Sequence, residues 1–149
     1  MTEEVVPLPV RGRVFDGRAS AGLGDVTPAG RARLDTLARW LQDVAFDDVR
    51  DAGLSETGIW VIRKSRLLVR RFPTLREEVA LQTFCSGIGP RWAERRTVLR
   101  GQGGAEVESV AIWVHLDPAT GAPSRLVERY AELYGEAAAG RGANGRLRL

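Results

Sequence analysis

The sequence predicts an α+β domain in which one long central helix is wrapped by a curved antiparallel sheet. Three observations lead there. One segment of about twenty residues carries apolar side chains at helical spacing. Four strand-like runs follow it, separated by tight turn signals. A further strand-like run precedes it. Tight turns force antiparallel pairing, and a helix that is apolar along its length must be covered by that sheet.

The helix is expected over residues 31–52. Leu34, Leu37, Ala38, Leu41, Val44, Ala45 and Ala52 recur at the helical period and fall on one stripe centred on Leu41. Asp35, Arg39, Asp43, Asp47 and Arg50 lie off the stripe, whereas Asp48 lies near its middle. Gly53 stands where a helix takes a left-handed terminating residue, and Thr27 or Asp25 is expected to cap the start. The first strand is expected over residues 10–19. The later strands are expected over 58–71, 78–86, 91–100 and 106–116, with turns at Phe72-Pro73-Thr74, Gly87 to Pro90, Gly101 to Gly104 and Asp117-Pro118. A short strand near 123–126 and a closing helix over 126–134 complete the order. Residues 1–134 are thus expected to form one domain, and the small-residue-rich stretch 135–149 a flexible tail.

Composition bounds the chemistry. A chain of 149 residues with 44% hydrophobic and 28% charged residues suits one folded domain rather than a disordered chain. No apolar run is long enough for a membrane span, and the acidic N-terminus lacks the order of a secretory signal, so the cytosol is the expected compartment. A single cysteine, Cys85, excludes an internal disulfide or Cys-rich zinc site, and a single histidine, His115, excludes a His-pair metal site. No metal or redox cofactor is expected. The net charge of +3 comes from 22 basic and 19 acidic residues interspersed along the chain. Nucleic-acid binding is disfavoured, because no recognition motif or basic groove with stacking aromatics is present. A weak surplus fits a partner that is acidic on one side.

This order of elements is the layout of a hot-dog fold. Such a sheet leaves an exposed edge, which edge-to-edge pairing would cover, so a homodimer with a continuous sheet is expected, its acyl-sized cavities near the dimer seam between helix and sheet. Four stretches carry a more specific likeness: LDTLARWLQDVAFDDVRDAGL at 34–54, IWVIRKSRLLVRRFP within 58–73, VALQTFCSGIGPRWAERR within 78–96 and SVAIWVHLDPATGAPSRL at 109–126. In order and spacing they resemble the first hot-dog unit of the acyl-acyl-carrier-protein thioesterases of plants and bacteria. Members of that family usually carry two units, with a catalytic Asp, Asn and His at the start of the second unit's helix. Here the corresponding approach reads DVTPAGRARLDTL. It retains Asp25 and Gly30 but has Arg31, Ala32, Arg33 and Leu34 where the Asn and His pattern would stand. The resemblance implies an acyl-thioester-handling fold more firmly than hydrolysis itself.

Asp48 is the leading catalytic candidate. An unpaired carboxylate on an apolar stripe costs several kcal/mol, and it also lies in the last turns of the helix, where the dipole disfavours negative charge. It would serve as general base or nucleophile toward a thioester carbonyl; the alternative is an internal pair with Arg63 or Arg95. Asp25 is a second acid candidate, or a cap. Thr27 is a water-positioning hydroxyl, or a cap. Amides at the helix start would polarise the carbonyl if they faced the cavity. Trp40, Leu41, Trp60 and Trp92 are candidate acyl-pocket residues, with Trp113 a fourth tryptophan on its own element. Arg63 and Arg95, within the basic runs 63–71 and 91–100, are candidates for gripping coenzyme A, a phosphopantetheine arm or an acidic carrier protein. His115 reads as a packed histidine and Cys85 as a buried thiol.

The expected activity is therefore hydrolysis of acyl-carrier-protein or acyl-coenzyme A thioesters. Two rivals are a non-hydrolytic acyl-thioester-binding dimer and a hydratase or dehydratase on the same fold, for which His115 is the sole acid–base candidate.

Overall fold

A computed structural model describes residues 6–143. Strand β1 spans Phe15–Ser20, helix α1 Leu34–Asp51, β2 Ile59–Arg71, β3 Glu78–Ile88, β4 Trp92–Gly101, β5 Glu106–Leu116, and helix α2 Glu128–Ala138. The strands form one antiparallel sheet in the order β1-β3-β4-β5-β2. The sheet curves about α1, which is the hot-dog arrangement.

Helix α1 turns Leu37, Trp40, Leu41, Val44, Ala45 and Val49 inward, while Asp35, Arg39, Asp43, Asp47 and Arg50 are exposed. Each buried leucine or valine contributes about 1.5–3 kcal/mol of transfer free energy. Leu34, expected on the stripe, is 60% exposed at the first turn. Gly53 adopts a left-handed backbone with φ of 77° and closes the helix as expected.

The helix starts three residues later than expected, and neither Thr27 nor Asp25 caps it; its N-cap is Arg33, which makes no side-chain cap bond. The cause is local. Residues 26–32 fold into a small hairpin in which Val26 pairs with Ala32 and the Thr27 N–H donates to the Arg31 carbonyl at 2.8 Å. Gly30 supplies the positive φ this turn needs. Strand β1 also starts later than residue 10, and Arg13 is instead turned toward α1. At the other end, α2 runs past the expected boundary at residue 134, burying Ala137 and Ala138, and Gly142 bridges Ile88. Packed chain therefore extends into the expected tail; residues 144–149 lie outside those described.

Register places Thr83, Thr97 and Ser109 side by side across β3, β4 and β5. This buried hydroxyl row, with a 3.0 Å bond from Thr97 Oγ1 to Thr83 Oγ1, lies between two apolar clusters. One gathers Leu37, Trp40, Leu41, Val44, Leu81 and Leu99; the other gathers Val49, Trp60, Ala93, Trp113, Tyr130 and Tyr134.

Candidate functional site

The two clusters meet at a buried ionic knot. Asp48 on α1 is fully buried. Arg95, on the helix-facing side of β4, donates through Nη1 to Asp48 Oδ2 at 2.7 Å and to Thr83 Oγ1 at 3.2 Å. The Tyr134 hydroxyl on α2 donates to the same Oδ2 at 3.0 Å. Arg13 Nε donates to the other oxygen, Oδ1, while its Nη2 reaches Asp51 Oδ2 at 2.6 Å. A carboxylate on the apolar stripe is thereby paired on both oxygens, as a buried charge requires. Burial is the largest influence and works against the Arg95 charge, but Asp48 together with Tyr130, Tyr134 and Cys85 outweighs it and the guanidinium pKa is raised. Burial also pushes the Tyr134 hydroxyl up, to about 12.

Beside this knot a cleft runs between α1 and the β2–β5–β4 side of the sheet, in two lobes. The larger, of about 60 Å³, is lined by Leu41, Gln42, Ser65, Arg95, Thr97 and Trp113 among others. The smaller, of about 10 Å³, is lined by Phe46, Val49, Trp60, Arg95, Trp113 and Tyr130 among others. Arg95 and Trp113 belong to both walls, so these two side chains divide the cleft.

The structure sorts the sequence candidates. Leu41, Trp60 and Arg95 line the cleft, and Trp113 joins them. Trp40 is instead packed in the first apolar cluster. Trp92 points its Nε1 to the Ala143 carbonyl at 2.6 Å and lines neither lobe. Arg63 is exposed at a bulge of edge strand β2 and takes no part in the cleft. Of the two arginines weighed as partners for Asp48, Arg95 is the one that faces it.

Asp48 lines neither lobe, and both its oxygens accept from cationic or phenolic donors, which is the internal pair rather than the free base. Asp25 accepts from the Gly22 N–H at 3.0 Å and from Arg39 Nη2 at 2.9 Å, and these hold its carboxyl below the usual range. It too lies outside both lobes. Thr27 Oγ1 is buried without a hydrogen-bond partner among the described residues, in the small hairpin before α1. The lobes begin only at Ala38, so the first-turn amides of α1 do not face them. His115 holds Ser124 through Nδ1, with Ser124 Oγ at 2.9 Å, and lies against Trp60 with the two rings tilted by 58°; its Nε2 lies so close to Gly58 that a Cβ there would stand 2.3 Å away. Neither His115 nor Cys85, whose thiol pKa burial raises, lines the cleft. Among the described residues no group of three or more His, Cys, Asp or Glu is arranged to hold a metal ion.

Arg13 and Tyr134 are the members of the knot that sequence reading missed. Tyr130 and Tyr134 do carry a signal, since an i, i+4 pair shares one helix face. Arg13 carries none, lying 35 residues from its partner in the stretch expected to form the first strand.

Residues 12–134 match the family model described as the acyl-ACP thioesterase N-terminal domain. An uncharacterised protein of Mycobacterium tuberculosis is 26% identical over 125 residues, covering 83% of this chain and 50% of that protein. A chloroplastic palmitoyl-acyl carrier protein thioesterase of Gossypium hirsutum is 26% identical over 131 residues, covering 78% of this chain and 32% of that protein. The 12:0-ACP thioesterase structure from Umbellularia californica superposes with a TM-score of 0.69 at 17% identity, covering 86% of this chain and 55% of that one; at that identity the likeness shows the fold alone. The chain spans half or less of the length of the Mycobacterium and Gossypium relatives and 55% of the Umbellularia chain.

Proposed function

The chain belongs to the acyl-ACP thioesterase family, matching its N-terminal domain, and on that premise we propose that it serves acyl-thioester hydrolysis by holding the acyl group of an acyl-carrier-protein or coenzyme A thioester in the cleft between α1 and the sheet. The observation that carries this reading is that the family match spans the residues that build both lobes, from Ala38 to Tyr130. The working unit is a homodimer joined through β2. That strand is 13 residues long, pairs among the described residues with β5 alone, and exposes Ile59, Val61 and Leu68, so a second copy would cover an open edge. The exposed Arg63 and Lys64 beside the cleft suit the phosphates of a pantetheine arm or an acidic carrier surface. The proposed compartment is the cytosol; no helix among the described residues is long and apolar enough to cross a membrane.

A second reading is a dimer that binds acyl thioesters without cleaving them. It is favoured by one observation: among the described residues, those lining the two lobes include no carboxylate, histidine or cysteine. The hydratase reading loses its support, since His115 faces Ser124 and Gly58. Free-thiol release from a panel of acyl-pantetheine, acyl-coenzyme A and acyl-carrier-protein thioesters separates the first two. Turnover proportional to protein supports hydrolysis; saturable binding without thiol release supports the second reading, and neither binding nor release rejects both.

A further inference from the structure

The cleft has a cationic floor. Arg95 is 5% exposed yet lines both lobes. Its hydrogen bonds to Asp48 and Thr83 all leave from Nη1. Nε and Nη2 have no hydrogen-bond partner among the described residues, and neither is among the polar atoms sealed away without one. A guanidinium fork with idle donors on a cleft wall is an unusual lining for a saturated hydrocarbon, because burying those donors against methylenes leaves them unsatisfied. Thr97 adds a hydroxyl to the larger lobe, and Gln42 and Ser65 add polar side chains at exposed positions. The larger lobe, at about 60 Å³, has room for only a few heavy atoms.

Charge narrows the ligand further. The positive charge of Arg95 is already matched by Asp48, and that of Arg13 by Asp48 and Asp51. The knot therefore has no cationic surplus to hold a carboxylate, but Nε and Nη2 of Arg95, which take no part in its hydrogen bonds, are left for a neutral acceptor.

Resting on the proposed acyl-thioester reading, we propose that the cleft selects a short acyl group carrying a neutral oxygen acceptor, an oxo group, which takes a hydrogen bond from Arg95. Arg95 is then a specificity-determining residue, with Asp48, Thr83 and Tyr134 holding its fork in place. No covalent step is involved.

The test uses hydrolysis-resistant amide analogues of acyl-pantetheine: hexanoyl, its 3-oxo and 5-oxo counterparts, and a carboxylate-ended chain of equal length. Calorimetric titration of the full chain is expected to give at least one oxo analogue an affinity about tenfold or more above hexanoyl, because a site with buried polar groups rejects a ligand that leaves them unpaired. The carboxylate is expected to bind no better than the oxo form. The preference is expected to collapse toward equality in the double variant Asp48→Leu with Arg95→Met, which replaces the ion pair by apolar groups. Should that variant not fold, the Arg95 Nε–H resonance of the wild type supplies the same information, shifting with the oxo ligand and not with hexanoyl. Equal affinities for oxo and plain chains, tighter binding of the carboxylate, a preference that survives the double variant, or an Arg95 resonance that ignores the oxo ligand would each overturn the proposal. Thiol release without oxo preference leaves the hydrolysis reading standing and removes this one; oxo preference without thiol release does the reverse.

Discussion

Arg95 and Asp48, 47 residues apart in sequence, join the middle of the sheet to the last turn of α1 through a 2.7 Å charge-assisted hydrogen bond with both side chains buried. The contact fixes how deeply the helix sits in the curved sheet. It also sets the boundary of the cleft, since Arg95 forms part of both lobes.

Removing one partner is expected to cost far more than removing both. Asp48→Ala strands the buried Arg95 charge and should destabilise the fold by about 3–5 kcal/mol. The paired replacement Asp48→Leu with Arg95→Met should recover most of that loss, because an apolar pair of similar volume needs no charge desolvation. Urea denaturation of the single and double variants checks this; equal losses in the two would mean that the knot is not a coupled unit.

Alkali should loosen the same knot. The Tyr134 pKa is raised from 10.0 to about 12 in the folded chain. The folded state therefore holds this proton more tightly than the unfolded state. The resulting stability is fully present below pH 10 and is lost as pH rises toward 12, a change on the order of 2 kcal/mol. Tyrosinate absorbance and denaturation midpoints across that range measure it, and Tyr134→Phe should flatten the part of the slope that this hydroxyl supplies.

Trp113 separates the lobes, so Trp113→Ala is expected to merge them and lengthen the acyl chain accepted. The chain-length profile of binding or thiol release should move toward longer chains, at a stability cost of about 3–5 kcal/mol for a large-to-small aromatic change. An unaltered profile in a folded variant would place the acyl group elsewhere.

Gly17 on β1 admits α1 closely: a Cβ there would stand 2.7 Å from Val44 Cγ2. Gly17→Ala is therefore expected to cost about 1–3 kcal/mol through overpacking, and Val44→Ala in the same chain should relieve the clash. Thermal melts of the two variants test this against a purely local effect on the strand.

Most of the architecture is written in periodicity and turns. The stripe through Leu37, Leu41, Val44 and Ala45 gives the helix, and the Gly and Pro clusters give the four later strands nearly to their ends. The errors fall where distant contacts override local pattern. Arg31 and Ala32 belong to the small hairpin over residues 26–32 rather than to α1, and Arg13 leaves its expected strand to reach Asp48. Asp48 itself was legible as an anomaly, because a carboxylate on an apolar face demands a partner. Which arginine answers it depends on register: Arg95 falls on the inward side of β4, while Arg63 falls at a bulge of the edge strand. The cleft depends on how Trp113, Tyr130 and α1 pack together, and no local pattern encodes that.

The most direct test of the acyl-binding cleft is a titration of the full chain with a hydrolysis-resistant acyl-pantetheine amide, followed by tryptophan emission, since Trp60 and Trp113 line the lobes. Saturable quenching that weakens by about tenfold or more when Ala111→Phe fills the larger lobe is the expected result. No saturable response from the wild type, or one that a folded Ala111→Phe chain reproduces unchanged, would contradict it.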